Sequence, residues 1–162
     1  MPLPVSIRQA KSSEFDVYAE LYGPGDKADF FTPEERLERR RQQFAEIDEN
    51  RRVVLVAEAD GKVVGAVQLV FESFVEGAGM IRSLAVRPSY RRQGIGSKLM
   101  DAAEALARER GLSALVLLVR PDNEAALAMY QRRGYQVVPP EERTDEATMY
   151  QLMRLVLKPP EK

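Results

Sequence analysis

Residues 91–100 read RRQGIGSKLM, with two arginines, a glutamine and a Gly-Ile-Gly running into an apolar-periodic stretch. A helix N-terminus leaves its first amide N–H groups without intrahelical partners and carries a partial positive charge. Glycines there let a ligand approach the backbone with no Cβ in the way. A strand that ends in a glycine-rich turn and opens a helix can therefore hold a phosphate, with Arg91, Arg92 and Lys98 adding side-chain charge. The sequence has no cysteine and no histidine. Thiolate nucleophiles, Ser-His-Asp triads and thiolate or imidazole metal sites are thereby excluded, and no metal is expected. Chemistry is left to carboxylates, Tyr, Lys, Ser and backbone amides.

The elements that position this turn follow from periodicity. Residues 5–8 alternate as a short first strand. Ser12-Ser13-Glu14 begins an amphipathic stretch that reaches Leu21 and is broken by Gly23-Pro24-Gly25-Asp26. Thr32-Pro33-Glu34-Glu35 is a helix start: a capping hydroxyl, proline at the first helical position, acids in the first turn. That helix runs to about Asp48, and its Arg36, Arg39, Arg40 and Arg41 read as a solvated face. Residues 52–59 and 62–72 flank Asp60-Gly61, a hairpin signal. Residues 79–87 give the next strand, ended by Pro88. After Gly94, residues Ile95, Leu99, Ala102, Ala103, Leu106 and Ala107 share one helix face, and Gly111 stops the helix. The continuous apolar run 114–119 is a strand buried on both faces. Pro121-Asp122-Asn123-Glu124 starts a helix that ends at Arg132-Arg133-Gly134. Extended structure resumes over 135–138, and 150–158 is the last strand. The order predicts one mixed α/β domain over residues 1–162.

Composition sets the outer bounds. The chain has 162 residues, 44% hydrophobic and 30% charged, with a net charge of -1. Near-balanced charge argues against a nucleic-acid binder. No run approaches the ~20 apolar residues of a membrane span, and the first ten residues lack a signal-peptide shape. The expectation is a cytoplasmic protein that engages neither nucleic acid nor membrane.

Spacing narrows the phosphate ligand. A Walker loop needs Gly, four residues, then Gly-Lys-Ser/Thr; here position 91 is Arg, and Gly96 is followed by Ser97-Lys98 in reverse order. A dinucleotide fingerprint needs glycine at position 99, which is Leu. The pattern present is Arg-x-x-Gly-x-Gly over 91–96. The stretch LAVRPSYRRQGIGSKLMDAAEALARERG resembles the acetyl-CoA cradle of the GNAT acyltransferase family, in which that pattern follows a Leu-x-Val-x-Pro strand. About 25 residues on, VRPDNEAALAMYQRRGYQ resembles the family's second signature through Asn123, Ala126, Tyr130, Gly134 and Tyr135. The two agree in order and spacing over roughly residues 79–138.

The resemblance implies a GNAT fold: a mixed, mostly antiparallel sheet of six to seven strands flanked by about four helices. It implies acetyl-CoA as acyl donor. Leu84, Ala85 and Val86 would lie along the pantetheine arm, with the Leu84 amide directed at the thioester carbonyl. Arg91, Arg92, Gln93, Gly94, Ile95, Gly96 and Ser97 would hold the pyrophosphate. Asn123 would contact the pantetheine or the helix-loop backbone. Tyr130 would sit near the sulfur and protonate the leaving thiolate. A primary amine, on a small molecule or peptide, would attack directly through a tetrahedral intermediate, and a homodimer stays open as the assembly.

One part of the family pattern is missing. The acid often found early in the cradle strand is replaced by Arg82-Ser83. Glu72, placed on the preceding strand, is the candidate base, with Glu76 after it and a water chain as the other route. The lost acid also leaves a second reading, a non-catalytic acyl-CoA sensor; nucleotide binding is a third. The acceptor has no motif. Phe30, Phe31, Phe71 and Phe74 could line its pocket, and Glu141, Glu142, Asp145 and Glu146 make segment 139–149 acidic while the arginines of 36–41 pull the other way.

Overall fold

The computed structural model describes residues 4–16, 21, 32–145 and 149–157. Strands β1 (Ser6–Gln9), β2 (Arg52–Ala59), β3 (Lys62–Val70), β4 (Ala78–Val86), β5 (Ala114–Val119), β6 (Gln136–Val137) and β7 (Gln151–Val156) form one sheet in the order β1-β2-β3-β4-β5-β7-β6. Among the described residues there are three α-helices: α1 (Pro33–Asp48), α2 (Ile95–Glu109) and α3 (Glu124–Arg132). The expected α/β class, mixed sheet and strand number hold. Of the stretch expected to be helical from Ser12 to Leu21, Ser12–Glu14 form a 3-10 turn and Phe15, Asp16 and Leu21 are helical; residues 17–20 lie outside the described residues. The break at 23–26, together with Phe30, Phe31 and Glu146, falls outside the described residues, as does Lys158.

Contacts divide the chain into two compact units: Met1–Leu69 with Ser83–Ala103, and Val70–Arg82 with Glu104–Lys162. In the first, β1 pairs antiparallel with β2 from Ser6↔Glu58 to Gln9↔Leu55. Asp60 (φ 53°) and Gly61 (φ 75°) both take left-handed conformations, the type I′ geometry that matches the twist of a two-residue hairpin. The core joins Phe44 of α1 to Val54, Val56, Val63 and Ala66. Thr32 caps α1 as its sequence predicts, Oγ1 accepting from the Glu35 amide at 3.1 Å.

In the second unit, β4 pairs parallel with β5 over Ala78↔Ala114, Gly79↔Leu115 and Met80↔Val116, where the ladder stops. β5 pairs antiparallel with β7 along its whole length, and β7 with β6. Leu115, Leu117 and Met153 are buried, as the unbroken apolar run of β5 requires.

All three helices end the same way. At α2, Gly111 has φ 73°, its amide donates to the Arg108 carbonyl at 3.0 Å, and the Leu112 amide donates to Ala107 at 3.1 Å. At α3, Gly134 (φ 99°) donates to Gln131 at 3.0 Å and Tyr135 to Tyr130 at 3.0 Å. Asn50 (φ 57°) plays the glycine's part after α1. Each is a Schellman motif, which satisfies carbonyls left over at the helix end.

Candidate active site

The cradle strand is bent within itself. Ser83 has φ 57°, a left-handed conformation uncommon for a residue with a Cβ, and Arg82 and Ser83 are both exposed where alternation would bury one. A residue of this kind inside a strand is a bulge, which re-aims the residues after it. Leu84, Ala85 and Val86 follow, each half-buried.

Three residues fix the loop from β4 to α2. The Arg87 amide donates to the Val64 carbonyl at 2.7 Å and its Nε to the Val63 carbonyl at 2.8 Å. The Tyr90 hydroxyl donates to Asp60 Oδ2 at 2.9 Å, with Lys62 Nζ 5.3 Å from the ring centroid. Arg91 folds back, its Nε donating to the Val86 carbonyl at 3.0 Å. The sequence offered Arg91 as a phosphate ligand; here its Nε stabilises the end of the strand.

Helix α2 then begins without a side-chain cap. Its first intrahelical bond runs from the Lys98 amide to the Gly94 carbonyl at 3.1 Å, so Gly94 stands at the N-cap position. The amides of Ile95, Gly96 and Ser97 have no intrahelical acceptor, and Gly94 has no side-chain oxygen to offer them. The other two helices do receive one: from Thr32, and from Asn123, whose Oδ1 accepts from the Ala126 amide at 3.2 Å. Gly94 has φ 79°, which accounts for a glycine there. Gly96 has no such reason. Its φ is ordinary for a helix and a Cβ built on it meets nothing within 4 Å. Glycine inside a helix costs roughly 0.5–1 kcal/mol relative to alanine. Neither backbone conformation nor packing requires a glycine there.

The helix start is held against the strands by Gly65. A Cβ there would lie 3.1 Å from the Ala85 carbonyl oxygen, 3.2 Å from Leu99 Cδ1 and 3.3 Å from Ile95 Cγ2. Ile95 and Leu99 are buried on this contact, each contributing roughly 2 kcal/mol. Exposed amides and a rigid seat therefore belong to one element.

In the second unit, Tyr130 lies in the last turn of α3, 8% exposed. Burial pushes its hydroxyl above the ordinary tyrosine range, so it remains a proton donor at neutral pH. Its ring meets Tyr135 edge-on, centroids 5.7 Å apart at 65°. The Tyr135 hydroxyl donates to Glu104 Oε2 at 3.1 Å, and Arg133 grips Glu104 with Nε to Oε2 and Nη2 to Oε1, both 3.0 Å. Burial first, and Glu104 second, raise the Tyr135 hydroxyl as well. Arg133, at the helix end the sequence marks, is also the C-cap of α3, its amide donating to the Met129 and Tyr130 carbonyls at 3.2 and 3.1 Å; its side-chain partnership with Glu104 was missed. Its signal was present: Glu104 is a carboxylate four residues after buried Met100 and three before buried Ala107.

Glu72 needs correction. β3 ends at Val70, so Glu72 is not on that strand but in the exposed bend after it. The turn is drawn together by Ser73, whose Oγ accepts from the Val75 amide at 3.1 Å and lies 2.8 Å from the Ala78 carbonyl. Phe71 does not read as a pocket wall either; the Arg110 guanidinium stacks over its ring at 4.5 Å.

Residues 17–135 match the family model described as the acetyltransferase (GNAT) family. The uncharacterized N-acetyltransferase YhfO of Bacillus subtilis is 29% identical over 136 residues, 82% of this chain and 90% of that one. The acetyltransferase ECA0875 of Pectobacterium atrosepticum is 34% identical over 84 residues, 52% of this chain and 57% of that one. Among solved structures, the PaiA N-acetyltransferase of Thermoplasma acidophilum in complex with coenzyme A aligns with TM-score 0.71 at 19% identity, covering 96% of this chain and 100% of that one. An N-acetyltransferase of Staphylococcus aureus aligns with TM-score 0.77 at 20% identity, covering 96% and 99%. At these identities the likeness shows the fold.

Proposed function

Because this chain belongs to the GNAT acetyltransferase family, we propose that it moves an acetyl group from acetyl-CoA to a primary amine by direct attack. The observation that carries the donor half is Gly96, a first-turn glycine with no conformational or packing reason, in a helix whose N-cap residue, Gly94, has no side chain to cap it. The residues fit the donor's pyrophosphate. Amides of Gly94, Ile95, Gly96 and Ser97 would bind its oxygens, with Arg92 and Gln93 at the exposed edge. The backbone of Leu84 and Val86 would pair with the pantetheine amides as an added strand, Ala85 lying between them.

Acetyl-CoA supplies the thioester. The Leu84 amide, re-aimed by the Ser83 bulge, would donate to the thioester oxygen as negative charge develops there. A new N–C bond forms and the C–S bond breaks. Tyr130 gives its proton to the departing sulfur, and the surplus amine proton leaves to water. Burial keeps the Tyr130 hydroxyl protonated, the form from which it can donate. Asn123 orders the start of α3 and so the helix that carries Tyr130. Glu72 is the carboxylate we assign to proton exchange with solvent, and its exposure permits that.

A second reading has one observation in its favour. No acid occupies Arg82-Ser83, and Glu72 is off the strand, as a donor-binding sensor without catalysis would allow. Calorimetric titration tests the donor site first. Coenzyme A binds more tightly than ATP or NAD, and Gly96→Ala weakens coenzyme A selectively. Equal affinity for all three, or an unaffected Gly96→Ala, would overturn the cradle assignment.

A further inference from the structure

The second unit contains a cavity of about 270 Å³ that no part of the donor assignment uses. Its floor is apolar. Val116 of β5 and Leu152 of β7 belong to one buried cluster with Val138, and Val75 packs on it from the loop between β3 and β4. The mouth carries Glu76, Glu142, Arg143 and Arg154.

The two arginines are engaged already. Arg143 donates Nε and Nη2 to Asp145 at 2.9 and 2.6 Å, and Nη1 to the Tyr150 carbonyl at 2.7 Å. It pins the segment that brings Glu142 to the rim. Arg154 Nη2 lies 3.6 Å from Glu142 Oε2, both side chains well exposed, a weak pair. The four charged lining residues balance, two carboxylates against two guanidiniums; Asp145, paired with Arg143 from outside the lining, tips the rim to one negative charge in excess.

An apolar floor beneath a net-negative rim selects a cation with a hydrocarbon body. The volume lies at the small end of ligand pockets, which run roughly 300–1,000 Å³. We propose that this cavity binds a small primary amine with an apolar body and no negative charge; resting on the transferase reading, that amine is the acetyl acceptor. A diamine would set its second ammonium on Val116 and Leu152, where no partner awaits it. An amine bearing a carboxylate would meet Glu76.

The test is calorimetric titration of the full chain with phenethylamine, 3-phenylpropionate and 1,4-diaminobutane. Phenethylamine saturates one site and the other two bind more weakly. Glu76→Gln, at an exposed position, weakens phenethylamine about threefold, and Val75→Trp, which fills the entrance, abolishes saturation while coenzyme A affinity is kept. Equal or tighter binding of 3-phenylpropionate, or phenethylamine binding indifferent to both variants, would overturn the proposal. Saturable amine binding with no transfer from acetyl-CoA would support the cavity and count against the transferase reading alone.

Discussion

Tyr130 and Tyr135 meet edge to face because the Schellman turn after α3 requires it. The motif brings the third residue from the helix end against the third residue past it, and those two positions are Tyr130 and Tyr135. The same turn donates the Tyr135 amide to the Tyr130 carbonyl at 3.0 Å. Tyr130 is thus held by ring contact and by backbone.

Tyr130→Phe should leave the fold intact and remove the acid. Edge packing survives, so thermal stability moves little. Turnover falls roughly 10²-fold or more, the usual contribution of a positioned proton donor, while KM for acetyl-CoA holds. Steady-state kinetics beside a melting curve checks both. A large loss of stability with unchanged turnover would return Tyr130 to a packing role.

The Glu104 triad acts through stability. Glu104→Leu removes the carboxylate that holds both the Arg133 guanidinium, 14% exposed, and the Tyr135 hydroxyl. Breaking a buried pair from one side costs about 3–5 kcal/mol. Pairing that change with Arg133→Met should recover most of the loss, which urea unfolding of the four-member cycle measures.

The two cradle glycines should separate stability from binding. Gly96→Ala adds a better helix former in open space and stabilises by up to about 1 kcal/mol, yet weakens coenzyme A. Gly94→Ala, at φ 79°, destabilises by about 1 kcal/mol and weakens it too. Denaturant curves and calorimetry on the same preparations report the two effects.

Ser83→Gly relieves the left-handed strain of the bulge and should raise stability by up to about 1 kcal/mol with activity kept. Ser83→Val should lower both, because a β-branched residue resists that conformation. Comparing kcat/KM with melting temperature for the two variants decides whether the bulge conformation, rather than the hydroxyl, matters.

Alkaline pH offers a further check. Folding raises the proton affinity of Tyr130 through burial, above the ~10 of a free tyrosine. The linked stability is therefore complete below pH about 10 and is lost as pH rises beyond it, since the unfolded chain then ionises and the folded one resists. Ultraviolet titration of tyrosinate should show fewer ionised tyrosines in the folded protein than in urea at the same alkaline pH. Tyr130→Phe should flatten the fall in stability.

The sequence made the cradle legible because its signals are local. Asp60-Gly61, Thr32-Pro33 and Gly94-x-Gly96 each specify a turn or helix end by backbone chemistry, and each was found where its residues imply. Asn123 at the start of α3 and Tyr130 in its last turn stand where the spacing puts them. Side-chain destinations were not. Arg91 turns back to the Val86 carbonyl, and Arg133 pairs with a glutamate 29 positions earlier. Such choices are decided by tertiary neighbours. Glu72 was misplaced because apolar Phe71 prolongs the strand pattern, whereas the hydroxyl of Ser73 ends it. The cavity over Val116 and Leu152 was legible only in part: Phe74 and segment 139–149 were offered as acceptor contacts, but the floor from β5 and β7 carries no motif.

The central claim is acetyl transfer, and the most direct measurement counts both products. Protein, acetyl-CoA and phenethylamine are incubated together, with free coenzyme A thiol and the acetylated amine quantified in the same samples by mass spectrometry. The account predicts that both appear in equal amounts, at a rate proportional to enzyme and cut strongly by Tyr130→Phe. Thiol released without an amide, or a rate indifferent to Tyr130→Phe, would contradict it.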